Sequence, residues 1–287
     1  MKPVPPGYAQ ALPRDCLRDI LNRASKRLDS RLEAELLITL GLNRTRAWLL
    51  AHAEYRPTEL ERERIDWLLA RRADGTPIAY LHGKREFYGR EFCVDPAVLI
   101  PRPETEYLIE WALTLELPDR ARVADIGTGS GCIALTLAAE RPRWHCVATD
   151  ISAEALAVAA ENHTRLGLDG VELLQGNLLS PLAGRKLDLI LSNPPYVTAS
   201  DPHLQQGDVR FEPDIALSAG ADGLILIRAL VEDSRRFLAP GGWLLLEHGY
   251  DQAAAVRELF HRNGYENIES RHDLAGIERV TGGRTRC

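Results

Sequence analysis

Two short segments of the 287-residue chain carry residue types that could do chemistry. The first is Val123-Ala124-Asp125-Ile126-Gly127-Thr128-Gly129-Ser130-Gly131, an apolar run that ends in a glycine-rich turn. Glycines let a backbone turn sharply and approach a ligand with no Cβ in the way. Asp150 ends the next apolar run, 25 positions after Asp125. An acid there can accept hydrogen bonds from both hydroxyls of a ribose. With strand, turn and helix in that order, the segment reads as a nucleoside cradle rather than a bare tight turn. The dinucleotide fingerprint is G-x-G-x-x-G, whereas this loop is G-x-G-x-G and follows an acid. Asp125 would repel a pyrophosphate but suits the ammonium of a methionine moiety. S-adenosylmethionine is therefore favoured as the cofactor.

The second segment is Asn193-Pro194-Pro195-Tyr196, directly after the apolar run Leu187–Ser192. At the carboxyl end of a parallel strand it would lie beside the cofactor crevice. Alone it could be a proline-rich strand exit; beside the glycine loop it points to a planar NH₂ group. Such a nitrogen is a poor nucleophile because its lone pair is delocalised. An Asn carbonyl oxygen can accept one N–H, and the Pro194 backbone carbonyl, beside two prolines that donate nothing, can accept the other. Two acceptors fix the nitrogen and stabilise the positive charge that develops as it attacks a methyl group. Tyr196 would pack against the flat group or a sulfonium. The scheme needs no metal, and the eight histidines show no ligand spacing. Adenine N6, cytosine N4, guanine N2 and a glutamine amide all fit the tetrapeptide. Adenine in DNA would require base flipping and a surface to hold the backbone.

These segments need a frame to hold them. From Arg122 onward, strand-like and helix-like runs alternate. RVADI, HCVAT, VELLQ, LDLILS and WLLLEH are the strands, with two more short ones in the tail. Cys132–Glu140, Ala153–Leu166, Leu224–Leu238 and Gln252–Asn263 are the helices. Such alternation means a largely parallel sheet with helices on both faces. The first 83 residues instead read as amphipathic helices and a small bundle. Asp15–Leu28 places Leu17, Ile20, Leu21 and Ala24 on one face; Arg31–Leu42 follows; Glu59–Arg72 places Leu60, Ile65, Leu68 and Leu69 together. Between the two regions, Arg85–Val94 alternates around Tyr88-Gly89, a hairpin pattern.

Charge follows the same division. Residues 1–98 hold 17 Lys/Arg against 14 Asp/Glu, net +3; the remainder hold 18 against 27, net −9. An acidic catalytic part with no target-recognition insert counts against a nucleic-acid substrate. The whole chain, at −6, is a poor nonspecific nucleic-acid binder. Five scattered cysteines without a C-x-x-C pair speak against zinc or a disulfide framework and for a reducing cytoplasm. No run approaches the roughly 18 apolar residues of a membrane span, and the opening MKPVPPGYAQALPRDC lacks the apolar core of a secretory signal.

At this point the chain resembles the HemK/PrmC family, the peptide chain release factor N5-glutamine methyltransferases, over nearly its full length. The matching residues include Pro77-Ile78-Ala79-Tyr80-Leu81, Arg85-Glu86-Phe87-Tyr88-Gly89, Leu99 to Glu106 (LIPRPETE), Asp125 to Gly131, Asn193 to Tyr196, Asp201 to Pro213 (DPHLQQGDVRFEP) and Leu244 to Gly249 (LLLEHG). The resemblance implies a class I S-adenosylmethionine-dependent methyltransferase with a Rossmann-like seven-stranded sheet, mostly parallel with one antiparallel strand near the C-terminus. The expected organisation is a helical bundle over 1–83 that binds the release factor, a hairpin linker over 84–98 and a catalytic domain over 99–287. The implied substrate is the glutamine of the Gly-Gly-Gln loop of class I release factors. The implied cofactor contacts are Asp125, Gly127, Thr128, Gly129, Ser130, Gly131, Asp150, Ile151 and Asn193. Asn177 and Leu178, at the exit of the third strand, are added as adenine contacts. Asn193, Pro194, Pro195 and Tyr196 would hold the glutamine. The protein is expected to be a cytoplasmic monomer, with no direct nucleic-acid or membrane partner.

Four further regions have two readings each. Ile100–Glu106 suits a helix start, with the helix running to Leu117, and would also line the substrate channel with Arg102 or Glu104. The stretch 197–220 is long for an ordinary connection and reads as a lid over the glutamine, with Asp208, Arg210 and Glu212 either functional or merely in surface ion pairs. His248, at a strand tip, could act as a base but more often such a residue is packed. The helical bundle is either a stability module or, given its opposite charge, a partner-binding one. Rival activities are methylation of a ribosomal-protein glutamine, a nucleic-acid amino-methyltransferase, and a noncatalytic cofactor-binding module.

Overall fold

A computed structural model describes residues 15–286 of the chain. Residues 1–14, which carry the reading of no secretory signal, and Cys287 lie outside them. The chain divides between Gly83 and Lys84 into two compact units. Among the described residues no helix is long and apolar enough to cross a membrane.

The first unit is all helix: α1 (Leu17–Leu28), α2 (Arg31–Leu42), α3 (Arg46–Ala51), α4 (Glu59–Ala73) and α5 (Ile78–His82). Leu17, Ile20, Leu21 and Ala24 of α1 meet Ala34, Leu37, Ile38 and Leu42 of α2 and Ile65, Leu68 and Leu69 of α4 in one core. The helices start where the sequence supplies caps. The Ser30 and Thr45 hydroxyls accept the backbone N–H of Glu33 and Trp48, and Thr58 with Glu61 forms a reciprocal capping box. Leu60 departs from the expected stripe and is 54% exposed. It precedes Ile65 by five positions, about 140° around the axis at 3.6 residues per turn. The short helices α3 and α5 have too few turns to show a periodicity.

The second unit opens with a hairpin of β1 (Lys84–Phe87) and β2 (Arg90–Cys93). Its turn residues Tyr88 and Gly89 both have positive φ, 49° and 70°, the left-handed pair that fits the twist of a two-residue hairpin. Phe87 and Phe92 are buried in the core of this unit. The remaining elements are α6 (Glu106–Thr114), β3 (Arg122–Ile126), α7 (Cys132–Glu140), β4 (His145–Asp150), α8 (Ala153–Leu166), β5 (Val171–Gln175), β6 (Leu187–Ser192), α9 (Ile225–Phe237), β7 (Leu238–Glu247), α10 (Ala253–Arg262), β8 (Glu266–His272) and β9 (Glu278–Arg284). Helix α6 stops at Thr114 rather than Leu117 because Leu115 is already extended and Leu117 precedes a proline, which disfavours helix there.

The sheet has seven strands in the order β5-β4-β3-β6-β7-β9-β8, with β9 alone antiparallel to its neighbours. The central strands are apolar on both faces. Leu189, Leu191 and Leu245 face one core with Leu108, Trp111 and Leu135; Ile190, Leu244 and Leu246 face the other with Ile227, Val231 and Phe260. Period-2 alternation thus fills both helical layers at once. The strand order reverses between β3 and its neighbours β4 and β6, and ligands of such sheets bind in the crevice at that point, beyond the carboxyl ends of the strands.

Candidate active site

The crevice is a cleft lined by residues following β3, β4, β5 and β6, closed on the other side by 97–105 and by Ile215, Ala216 and Leu226. Both motifs singled out in the sequence border it. The glycine loop follows β3. Gly127 and Gly129 have φ of 73° and 55°, and a Cβ at either would stand in open space. The glycines are there for backbone conformation, and the absent side chains leave the cleft clear. At Gly131 (φ 82°) a Cβ would come within 2.9 Å of Leu135 and 3.3 Å of Ala159, so this glycine lets α8 pack close. The Gly127 and Thr128 N–H groups donate to the Thr149 carbonyl at 2.8 and 2.9 Å, which ties the loop to the tip of β4.

Asp150, at that tip, accepts from the Gly129 N–H at 2.9 Å through Oδ2 and from the Ser152 N–H at 3.0 Å through Oδ1. Each oxygen keeps a lone pair for a ligand hydroxyl. Ile151 lines the cleft although 51% exposed, which leaves a flat apolar face beside the acid. Asn177 and Leu178 line it too. Leu178 adopts a positive φ of 47°, and its carbonyl accepts from the Thr149 hydroxyl.

Asp125 stands elsewhere than expected. It is 1% exposed and does not line the cleft. Its Oδ2 accepts from the Thr128 hydroxyl at 2.6 Å and the Ala134 N–H at 3.2 Å, bracing the loop from behind. Its Oδ1 has no hydrogen-bond partner among the described residues. Burial pushes its pKa up to about 7, against the pull of Thr128. In that place it shapes the loop from behind rather than from within the cleft.

At the tip of β6, Ser192 donates its hydroxyl to the Ile126 carbonyl at 2.6 Å and joins this tip to that of β3. Asn193, Pro194 and Pro195 then line the cleft. Asn193 donates through Nδ2 to Thr105 Oγ1 at 3.0 Å, while its Oδ1 has no partner among the described residues. Tyr196 borders an adjoining recess that shares Asn193, Pro194 and Pro195 with the cleft. Its hydroxyl donates to Glu247 Oε1 at 3.2 Å. Desolvation, with Glu247 nearby, pushes the Tyr196 pKa far up.

Arg102 borders both the cleft and the recess, with its guanidinium 2.6 Å from Glu212 Oε1. Glu212 is a buried partner and not a surface one: its side chain is 0% exposed, and its Oε2 also takes the Ile100 N–H. The pair pins the stretch 197–220, which folds into three short 3-10 turns and closes on itself where Val197 and Ser218 bridge. Arg210 stacks over Phe211 at 4.9 Å. Glu104 borders neither space. His248 is buried; its Nδ1 donates to the Gly249 carbonyl and its Nε2 accepts from the Thr281 hydroxyl. Burial holds its pKa below the usual histidine value; with both ring nitrogens engaged and the side chain bordering neither space, it is a packed residue.

Sequence reasoning missed Thr105, Thr149, Ser152, Ile215 and Leu226 as contributors. Thr105 lay in view, inside the IPRPETE segment. Ile215 and Leu226 carried no local signal, since only the folded stretch 197–220 and the start of α9 bring them to the cleft.

Comparisons with known proteins match both units of the chain. Residues 105–208 match the methyltransferase small domain, and residues 19–83 match the PrmC N-terminal domain. A release factor glutamine methyltransferase of Xylella fastidiosa is 47% identical over 92% of this chain and 96% of its own length. That of Escherichia coli is 45% identical over 93% and 97%. A solved methyltransferase from Pyrococcus furiosus superimposes with a TM-score of 0.54 at 18% identity, covering 76% of this chain and 98% of its own; that likeness concerns the fold alone.

Proposed function

The chain belongs to the release factor glutamine methyltransferases, and from that premise we propose how its cleft performs the transfer and on which atoms. The acceptor is the side-chain amide nitrogen of the glutamine in the Gly-Gly-Gln loop of a class I release factor, and the methyl donor is S-adenosylmethionine. When bound, the donor supplies an electrophilic methyl group on a sulfonium. The residues present fit such a nucleoside: a glycine loop with no side chain in the way, an acid with free lone pairs at the next strand tip, and an apolar face at Ile151.

The chain's own part is to bind and orient. Asn193 Oδ1 accepts one N–H of the glutamine amide, and the Pro194 carbonyl accepts the other. The amide plane is fixed, its nitrogen is turned toward the methyl group, and the charge that develops there meets two oxygen dipoles. No base is needed before transfer, because the N–H becomes acidic only as the new bond forms. Ile215, Ala216 and the prolines give the cleft apolar walls. The stretch 197–220, held by Arg102 and Glu212, shapes the recess that would take the Gly-Gly-Gln backbone. The helical unit is assigned to gripping the body of the release factor. That setting is the cytoplasm, where release factors meet the ribosome.

The observation that carries the reading is the orientation of Asn193, which spends its NH₂ on Thr105 and leaves its carbonyl oxygen without a donor among the described residues. The test is incubation with labelled donor and purified release factor, followed by mapping of the label. Label on the glutamine, and its loss when that glutamine is changed to alanine, is the expected result; label on rRNA or a ribosomal protein instead would replace the reading.

A further inference from the structure

Glu247 ends β7 beside the tip of β6, where Ser192 pairs with Leu246. It is 1% exposed, and the expected pair of amide acceptors does not use it. A buried carboxyl without a cationic partner is costly, and here the hydrogen-bonded neighbours are hydroxyls. Tyr196 donates to Oε1 at 3.2 Å. The Thr105 hydroxyl also interacts with the carboxyl, while Oε2 has no full hydrogen bond of its own. Thr105 is the residue that receives the Asn193 NH₂. Both ends of the Asn193–Tyr196 tetrapeptide therefore converge on one buried acid, one directly and one through a single hydroxyl.

We propose that Glu247 is a positioning residue that fixes the polarity of the Asn193 carboxamide through Thr105, so that Oδ1 and not the NH₂ faces the substrate amide. The proposal rests on the reading of Asn193 as the amide acceptor. An ionised carboxylate only accepts, so the Thr105 proton is drawn toward Glu247. Thr105 Oγ1 then presents a lone pair, which only the NH₂ side of Asn193 can satisfy. Were the carboxyl neutral, or replaced by an amide, it could donate to Thr105. Thr105 would then donate its own proton onward, and Asn193 could turn over, pointing an NH₂ at another NH₂. The chain of donors thus reads in one direction when the acid is charged and in either direction when it is not.

The other groups facing Glu247 are Glu104, from the turn before α6, and Arg279, from β9, with opposing effects; Cys132 of α7 is also near and neutral. Burial pushes Glu247 up to about 7, so the charged, polarity-setting form is gained as pH rises through that value.

The experiment compares wild type, Glu247→Gln, Thr105→Val and Thr105→Ser, measuring donor affinity by calorimetry and methyl transfer to purified release factor from pH 6 to 9. In Glu247→Gln, turnover should fall about 10–100-fold, as for outer-shell residues that orient a reacting ligand, with donor affinity unchanged. Wild-type turnover should rise as pH passes through about 7, and that rise should disappear from the variant. Thr105→Val should lose as much, the double variant no more than either, and Thr105→Ser should recover most of it. Full turnover in Glu247→Gln, or equal losses of turnover and donor affinity, would overturn the proposal. A wild type that binds the donor but leaves the release factor unmethylated would instead overturn the reading of the substrate.

Discussion

The tips of β3 and β6 lie side by side and face the same cleft, yet they are built in opposite ways. At β3 the ligand-facing surface is backbone. Gly127 and Gly129 present nothing beyond their main chain, and the supporting acid, Asp125, reaches Thr128 and Ala134 only three and nine positions on. At β6 the ligand-facing group is a side chain. Its orientation depends on Thr105, 88 positions earlier, and Tyr196 is held by Glu247, 51 positions later. Each tip rests on a buried carboxyl pushed up to about 7. A nucleoside is recognised by shape and a few hydrogen bonds, for which a preformed backbone suffices. A reacting amide must be recognised with a defined donor–acceptor polarity, and that takes a network.

The comparison predicts that damage at the two tips divides cleanly between chemistry and binding. Asn193→Ala should lower turnover by about 10²–10³-fold, the usual cost of one transition-state hydrogen-bonding group, while calorimetry finds donor affinity near wild type. Equal losses in both would mean that the β6 tip is simply part of the nucleoside site. Gly127→Val forces a β-branched residue to a φ of 73°. The strain of about 1–2 kcal/mol should weaken donor binding by about 5–30-fold, with turnover at saturating donor changed less.

What was legible in the sequence follows the same division. The glycine loop and Asp150 could be read because their residue types and spacing stand in one short stretch of sequence, and β3, α7, α8 and β6 begin and end where periodicity and caps put them. The orientation of Asn193 could not be read, because Thr105 and Glu247 stand far from it in sequence and meet it only once the chain is folded. Asp125 misled for a related reason. Its spacing fits a ligand contact, but strand alternation turns it inward, to be buried behind the loop. The stretch 197–220 has no periodicity, and only the burial of Glu212 against Arg102 reveals what anchors it.

Smaller effects sharpen the comparison. Glu212→Gln leaves Arg102 without its charged partner, and loosening the 197–220 stretch should raise KM for the release factor severalfold and speed proteolysis there. Donor affinity should fall less, since the glycine loop is untouched even though Ile215 and Ala216 of that stretch line the same cleft. Least in size is a pH effect on stability. A carboxyl whose folded pKa is raised contributes stability that is complete below its unfolded value and is lost as pH rises through the folded one. For Asp125 that window runs from the ordinary carboxyl value of 3.8 to about 7. Asp125→Asn should therefore flatten part of the fall in Tm across that range in thermal melts.

The most direct test is mass spectrometry of the release factor's Gly-Gly-Gln peptide after incubation with donor and either wild-type enzyme or Asn193→Ala. The arrangement predicts one added methyl group on the glutamine side chain with wild type, and almost none with a variant that still binds donor. Methylation at full rate by that variant would contradict it, as would a methyl group on any other residue.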